Sequence, residues 1–292
     1  MFETVRNAFK LKEIRSRIIY TLLMLVVVRI GTQLPVPGVN GNYFSEWFSG
    51  NSGSAFGFFD AITGGSFEKM SVFALNITPY ITSSIIIQLL TIAIPKLEEL
   101  QKDGEEGRKK MTAITRYLTV ALALMESLAM AIGFGRSGLL IEFNALNVIT
   151  TVVTLTAGST VIMWIGERIT ENGVGNGISI VLTINIISRI PQDLTLLFEQ
   201  FVKGKEIAFQ VLNLAIIIAV IIAVTVLTVA LQGAERRIPV QYSRKVQGRK
   251  QVGGQTSHIP LKVNTAGVIP IIFAQSLFMF PLIIMQLLGK SG

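Results

Sequence analysis

Cysteine is absent from this sequence of 292 residues, and histidine occurs once, at His258. The chain therefore cannot build a disulfide framework, a thiolate metal site or a cysteine nucleophile, and it has no histidine cluster for a metal ion. Charge is scarce too, at 15% of residues, whereas soluble domains carry about 25%. Together with 50% hydrophobic residues and a mean hydropathy of +0.58, this composition is typical of a polytopic membrane protein.

Long apolar runs are abundant. A transmembrane helix needs about 20 mainly apolar residues to cross the hydrocarbon core. Seven runs meet this requirement, so we predict an all-α polytopic membrane protein with spans at 18–36, 71–94, 113–134, 146–166, 177–195, 208–231 and 263–288. The fifth is the least regular, because Arg189 and Pro191 interrupt it.

The distribution of lysine and arginine predicts the orientation of the chain. Most of the 26 basic residues lie in the segment before the first span and in the loops after the second, fourth and sixth spans. Basic residues concentrate on the cytoplasmic side of membrane proteins. We therefore expect a cytoplasmic N-terminus.

Residues 233–262 form a polar, basic insert between two uncharged apolar runs, with Glu235 its one acid. Such an insert predicts a docking surface for a large, anionic partner; a topology signal or an anchor to anionic lipid is the alternative. The candidate docking residues are Arg236, Arg237, Arg244, Lys245, Arg249 and Lys250.

Residues 55–70 (AFGFFDAITGGSFEKM) fit neither a span nor an ordinary loop. The stretch is apolar and aromatic but too short to cross, and Gly64 and Gly65 break it. It is either an interfacial helix on the outer surface or a short helix that dips into a cavity, because non-helical backbone at membrane depth needs protein or water around it.

Two other functional classes deserve comparison. A secondary transporter would use acidic residues at the membrane midplane, but Glu126 is the one acid in the interior of a predicted span, since Asp193 lies at the end of the fifth. Glu126 is either a functional group or a structural contact. An intramembrane protease would need a paired nucleophile and base, and Ser179 has no base nearby in the sequence, while His258 lies in the basic insert. The glycine-rich run 173–177 lacks the preceding strand of a phosphate-binding loop and is better explained as a turn.

Four stretches carry long motifs: 76–90 (NITPYITSSIIIQLL), 102–110 (KDGEEGRKK), 166–179 (GERITENGVGNGIS) and 260–270 (PLKVNTAGVIP). With the basic insert, they resemble the SecY family, the channel subunits of bacterial protein translocons. The resemblance implies a clamshell of two inverted five-span halves. Residues 1–195 would form the first half and residues 208–292 part of the second. Since the sequence ends after the seventh of ten expected spans, we expect a fragment or, alternatively, a truncated paralogue.

The resemblance also implies a function and its residues. The chain would conduct unfolded preproteins and release membrane helices sideways into lipid. A pore ring would consist of Ile77, Ile81, Ile178, Leu182 and Ile272, and apolar constrictions of this kind limit ion flow. Residues 56–69 would form a plug with Gly64 and Gly65 as its hinge, unless these glycines merely end a helix. Gln88 and Asn264 would belong to a lateral gate, or act as polar contacts between helices.

Partners follow from the same resemblance. SecE and SecG would be partner subunits, SecA or the ribosome would supply the energy, and the substrates would be preproteins with signal sequences. The chain would then be a channel without enzyme activity and without a cofactor. It would lie in the cytoplasmic membrane of a bacterium.

Overall fold

The computed structural model describes residues 10–51, 55–135, 138–204, 207–240, 245–247, 250–252 and 257–265, together with Gly267, Pro270, Ile271, Ala274 and Phe278. The chain divides into two compact units. The first comprises residues 1–191 and 273–292, and the second comprises residues 192–272.

Helices dominate the described residues. They are α1 (Lys12–Gly31), α2 (Gly41–Asn51), α3 (Ala55–Thr63), α4 (Thr78–Ala93), α5 (Pro95–Lys102), α6 (Gly104–Gly133), α7 (Ala145–Asn172), α8 (Gly177–Phe201) and α9 (Ile207–Gly233). Four short strands follow: β1 (Glu235–Val240), β2 (Lys245–Gln247), β3 (Lys250–Val252) and β4 (Ser257–Lys262).

Four described helices are long and apolar enough to cross a membrane: α6, α7, α8 and the part of α9 from residue 209 onward. The pair α4 and α5 meets the same test as one broken span, bent by 105° at Pro95. The predicted spans at 113–134, 146–166, 177–195 and 208–231 each lie within one of these helices, apart from one residue at the end of α6. The predicted span at 263–288 falls almost wholly outside the described residues.

The helices at the first two predicted spans differ from these spans in their bounds. α1 begins at Lys12 and ends at Gly31, so it lies closer to the N-terminus than the predicted span at 18–36. α4 begins at Thr78, and residues 71–77 form turns in which Asn76 has a positive φ of 50°. An L residue in the left-handed region cannot continue a right-handed helix. The apolar run from residue 71 is therefore buried irregular backbone rather than the first turns of a span.

The first unit has an apolar core rich in aromatic residues. Phe44 packs edge-to-face against Phe67 and Phe134, with ring centroids 5.2 Å apart in both pairs. Phe59 packs against Phe67 at 4.9 Å. Burial of several large rings in edge-to-face geometry stabilises the core beyond the area that it removes from solvent. Residues 55–70 thus contribute Phe59 and Phe67 to the core.

The second unit contains α9 and a small β-ribbon. No residue in the apolar window of α9 is buried by the rest of the described chain. This is expected of a helix that is surrounded by lipid or by further spans. β1 pairs antiparallel with β4, and β2 pairs antiparallel with β3. The ribbon lies within the basic insert, where no strands were predicted.

Candidate pore constriction and plug segment

Four of the five predicted ring residues lie in one apolar cluster. Ile77, immediately before α4, is fully buried, and Ile81, Ile178 and Leu182 are partly buried beside it. Ile77 and Ile81 are four residues apart, as are Ile178 and Leu182, so the two side chains of each pair lie on the same side. The start of α4 and the start of α8 thus each contribute a pair of side chains to the cluster. Ile272 lies outside the described residues.

The turn between α7 and α8 fixes the start of α8, which carries the predicted ring residues Ile178 and Leu182. The hydroxyl of Thr21 accepts a hydrogen bond from the Val174 amide at 3.1 Å. The side-chain oxygen of Asn176 accepts bonds from the amides of Ile178 and Ser179 at 3.1 and 3.3 Å, which satisfies donors at the start of α8. The glycine-rich run 173–177 is therefore a capped turn, as predicted.

Close helix packing explains one of these glycines. A Cβ on Gly177 would lie 2.0 Å from the carbonyl oxygen of Gly166 on α7. Only a residue without a side chain allows the two helices to approach this closely. The glycine therefore fixes the angle at which α8 leaves the turn and carries its ring residues toward α4.

The predicted plug segment, residues 56–69, contains most of α3 and the turns that follow it. Asp60 and Thr63 of α3 are fully buried. One carboxylate oxygen of Asp60 accepts the amide of Glu68 at 2.8 Å, and the backbone carbonyl of Asp60 accepts the amide of Gly65 at 3.1 Å. The segment is thus a closed, internally bonded loop.

The predicted hinge glycines have a backbone that favours glycine. Gly64 and Gly65 have φ values of +70° and +79°, in the left-handed region that L side chains rarely adopt. Gly64 also approaches α8 closely, since a Cβ there would lie 2.6 Å from the carbonyl oxygen of Asn185. No atom lies within 4 Å of the equivalent position at Gly65.

Sequence reasoning assigned no role to four polar residues near the cluster of predicted ring residues. Asn185 of α8 is fully buried and donates from its side-chain amide to the side-chain oxygen of Asn76 at 3.2 Å. Arg189, one turn later on α8, forms an ion pair with the buried carboxylate of Asp60. Asn185 and Arg189 share one face of α8, and polar groups within spans are the signal that could have identified them.

The predicted gate residues lie in different units. Gln88 is exposed on α4 in the first unit. Asn264 in the second unit is partly buried, and its side-chain oxygen accepts the amide of Gly267 at 3.0 Å. This local turn accounts for one polar group of Asn264.

The predicted docking residues are distributed along the ribbon. Arg236 and Arg237 are exposed on β1. Lys245 is the first residue of β2 and Lys250 is the first residue of β3. Arg244 and Arg249 lie outside the described residues.

Other ionisable groups of the first unit include an acid on α6 and an ion pair between α6 and α7. Glu126 is partly buried on α6. Arg116 of α6 pairs with Glu167 of α7 at 2.8 Å and ties these neighbouring helices together. Across the described part of the chain, no group of three or more acidic or histidine side chains could hold a metal ion.

These features define a polytopic helical membrane protein with an apolar cluster built from several helices and a packed segment of short helix and turns next to it. Comparison with known proteins gives the family. The SecY family model matches residues 71–291. The chain belongs to the SecY family, and the resemblance deduced from the sequence motifs is confirmed.

Curated relatives named protein translocase subunit SecY support this assignment. The protein of Halalkalibacterium halodurans is 42% identical over the whole of this chain and 68% of its own length. The Bacillus subtilis protein is 41% identical, with the same coverage. The Pseudomonas aeruginosa protein is 41% identical over 96% of this chain and 63% of its own length.

Solved structures confirm the helical fold class. A protein-conducting channel aligns with a TM-score of 0.62 at 20% identity, covering 94% of this chain and 59% of that protein. Sec61 from the canine ribosome–channel complex of the endoplasmic reticulum aligns with a TM-score of 0.61, with the same identity and coverage. The chain thus spans about two thirds of its curated relatives and less of the solved channels.

Proposed function

We propose that this chain is the main part of the channel subunit of a Sec translocon. In this role it conducts unfolded preproteins across the membrane and releases membrane helices laterally into lipid. As a channel rather than an enzyme, it takes its energy from SecA or from a translating ribosome. The curated relatives, all named translocase subunits, support the assignment.

The observation that carries the proposal is the position of the plug segment next to the ring residues. Ile77, Ile81, Ile178 and Leu182 share one apolar cluster, and Gly64 of the plug segment packs on the α8 backbone at Asn185, three residues beyond Leu182. A narrow apolar constriction dewets and limits ion flow, and a movable segment beside it adds a second barrier. A solved SecY protein of similar fold has a plug domain that stabilises the closed state and maintains a membrane seal.

The proposed partners are SecE, SecG, SecA, the ribosome and preproteins with signal sequences. The exposed basic residues Arg236 and Arg237 support docking on the β-ribbon, because ribosomal RNA is a polyanion. Arg244, Lys245, Arg249 and Lys250 extend the same basic surface in sequence. Gln88 and Asn264 are proposed to line a lateral gate. Ile272 is proposed to complete the pore ring.

The proposed location is the cytoplasmic membrane of a bacterium, with the N-terminus in the cytoplasm. The basic residues before α1, in the α5 region and in the ribbon support this orientation, because cytoplasmic loops attract lysine and arginine. We propose further that residues 1–195 correspond to the first inverted half and residues 208–292 to part of the second.

An ion-leak measurement tests the proposal. Leu182→Asn places a polar side chain in the ring and should wet it, so ion conductance of the complete translocase in vesicles should rise. Ile187→Asn is the matched control on α8, since Ile187 is 50% exposed, lies outside the cluster and, five residues from Leu182, lies on a different face of the helix. Shortening residues 57–67 should also raise the leak. An unchanged leak in Leu182→Asn, or an equal rise in both asparagine variants, would contradict the ring assignment.

A further inference from the structure

One face of α8 contacts both the ring and the plug segment. Val181, Asn185 and Arg189 follow one another at intervals of four residues, which places them in a row along one helix face. Val181 is fully buried in the cluster that contains the ring residues. The next two residues in the row are polar, and both bind polar side chains of segments that precede α4.

Asn185 contacts the residue that precedes both the ring residue Ile77 and α4. Its side-chain amide donates to Asn76 at 3.2 Å, and Asn76 immediately precedes the ring residue Ile77. Asn76 has a φ of +50°, and its carbonyl oxygen accepts the hydroxyl of Ser159 at 3.0 Å. A left-handed residue other than glycine persists only where its surroundings hold it. Asn185 and Ser159 supply these contacts at a fully buried position.

Arg189 holds the plug segment. Its guanidinium pairs with Asp60 of α3, whose side chain is 0% exposed while that of Arg189 is 14% exposed. The same carboxylate binds the amide of Glu68, so one acid ties α3, the following turn and α8 together. Removing one partner of a buried ion pair leaves an uncompensated charge and is strongly unfavourable.

We infer that Asn185 and Arg189 are positioning residues that form a polar latch on α8. In the closed state this latch holds the plug segment and the start of α4 against α8. The inference rests on the proposed function, because it assigns the closed-state contacts of the plug segment. Asp60 is the partner of Arg189 on the segment, and Asn76 is the partner of Asn185 beside the ring. Opening the segment breaks the Asp60–Arg189 pair, so the pair biases the channel toward the closed state.

Thiol labelling can measure release of the segment, because the chain contains no native cysteine and each variant then carries one thiol. Thr63→Cys is the reporter, since Thr63 lies in α3 and is 0% exposed. Ala131→Cys on α6 is the matched control, also 0% exposed. Both are labelled with N-ethylmaleimide in the membrane-embedded protein, with and without Arg189→Gln.

The latch predicts that Arg189→Gln raises the labelling rate at residue 63 about tenfold, which corresponds to about 1.4 kcal/mol, and leaves residue 131 slow. Arg189→Lys, which keeps the charge, should label close to the parent. Asp60→Asn should also raise the rate, and the double variant should not exceed the larger single effect, because both changes break one interaction. An unchanged rate at residue 63 would overturn the latch, and so would an equal rise at residues 63 and 131.

Ion leak measured on the same variants separates this inference from the proposed function. Faster labelling at residue 63 supports the latch whatever the leak. If the leak stays unchanged in that case, the proposed sealing role of the segment fails while the latch stands. If Leu182→Asn leaks but Arg189→Gln leaves labelling unchanged, the latch fails while the proposed channel stands.

Discussion

Gly64 and Gly65 are neighbours with nearly the same φ but different surroundings. At Gly64 a side chain would meet the α8 backbone, whereas at Gly65 it would enter open space. Open space at one glycine and a packing contact at the other are therefore adjacent in this turn. Gly64 sets how closely the segment sits on α8, and the proposed hinge role requires the space at Gly65.

Substituting these two glycines separates backbone strain from close packing. Gly65→Ala should cost about 1–2 kcal/mol, the penalty of an L residue in the left-handed region. Gly64→Ala should cost this amount plus about 1–3 kcal/mol for the displaced neighbour. Denaturation in mixed detergent micelles measures both values. Equal losses in the two variants would contradict the close approach of Gly64 to Asn185.

Only some of the residues near the predicted pore ring could be singled out from the sequence. The motif at 76–90 led to the prediction of Ile77 and Ile81 as ring residues, because it resembles a known family over a long stretch. Asn76 and Asn185 are 109 positions apart in sequence, and neither belongs to a local pattern that predicts the other. Arg189 was recognised only as an interruption of a span, because an apolar run does not reveal which acid lies opposite.

At the scale of elements, α7 is the helix against which the irregular segment before α4 packs. Gly158 of α7 is buried, and a Cβ there would lie 1.9 Å from the carbonyl oxygen of Val72. Backbone thus meets backbone at this point. The turn segment 71–77 can lie at this depth because the protein covers it.

Gly158→Ala should therefore destabilise the first unit. Overpacking costs about 1–3 kcal/mol, which exceeds the roughly 1 kcal/mol that alanine gains over glycine in a helix. Ala157→Val, on the adjacent exposed position of α7, should change stability by less than about 0.5 kcal/mol. Thermal melting of the purified protein in detergent compares the two. A melting temperature that rises in Gly158→Ala would contradict the packing of α7 on Val72.

The sequence predicted the elements unevenly, for physical reasons. Apolar length located α6, α7, α8 and α9, because a continuous helix satisfies its own backbone within lipid. It failed at the start of α4, because an apolar run buried by protein reads the same as one surrounded by lipid. The ribbon strands were not predicted because β1 pairs with β4 through residues 17 to 27 positions apart, and the sequences of these strands lack regular alternation.

At the scale of the whole molecule, charged residues concentrate in the loops and apolar residues in the spans. The apolar helix α9 leads directly into the exposed basic strand β1. Arg236 and Arg237 of this strand are exposed and are available to a partner that docks on the ribbon. This arrangement predicts binding that depends on charge more than on shape.

Reversing Arg236 and Arg237 to glutamate should weaken ribosome binding and its salt dependence, because each phosphate contact contributes about one to the slope of log affinity against log salt. Lys203→Glu is the control with a charge reversal on the opposite side of the proposed topology. Co-sedimentation at several salt concentrations measures binding. Equal binding by the double variant and the parent would contradict docking on the ribbon and favour its role as a lipid anchor.

The most direct test of the channel account is photocrosslinking to a translocating chain. A photoreactive amino acid is placed at Ile81 or Leu182, with Ile187 as the exposed control on another face of α8, and a preprotein is arrested during transport in native membranes. The account predicts crosslinks to the preprotein at residues 81 and 182 and few at residue 187. Crosslinks at residue 187 alone, or at none of the three, would contradict a path through the proposed pore ring.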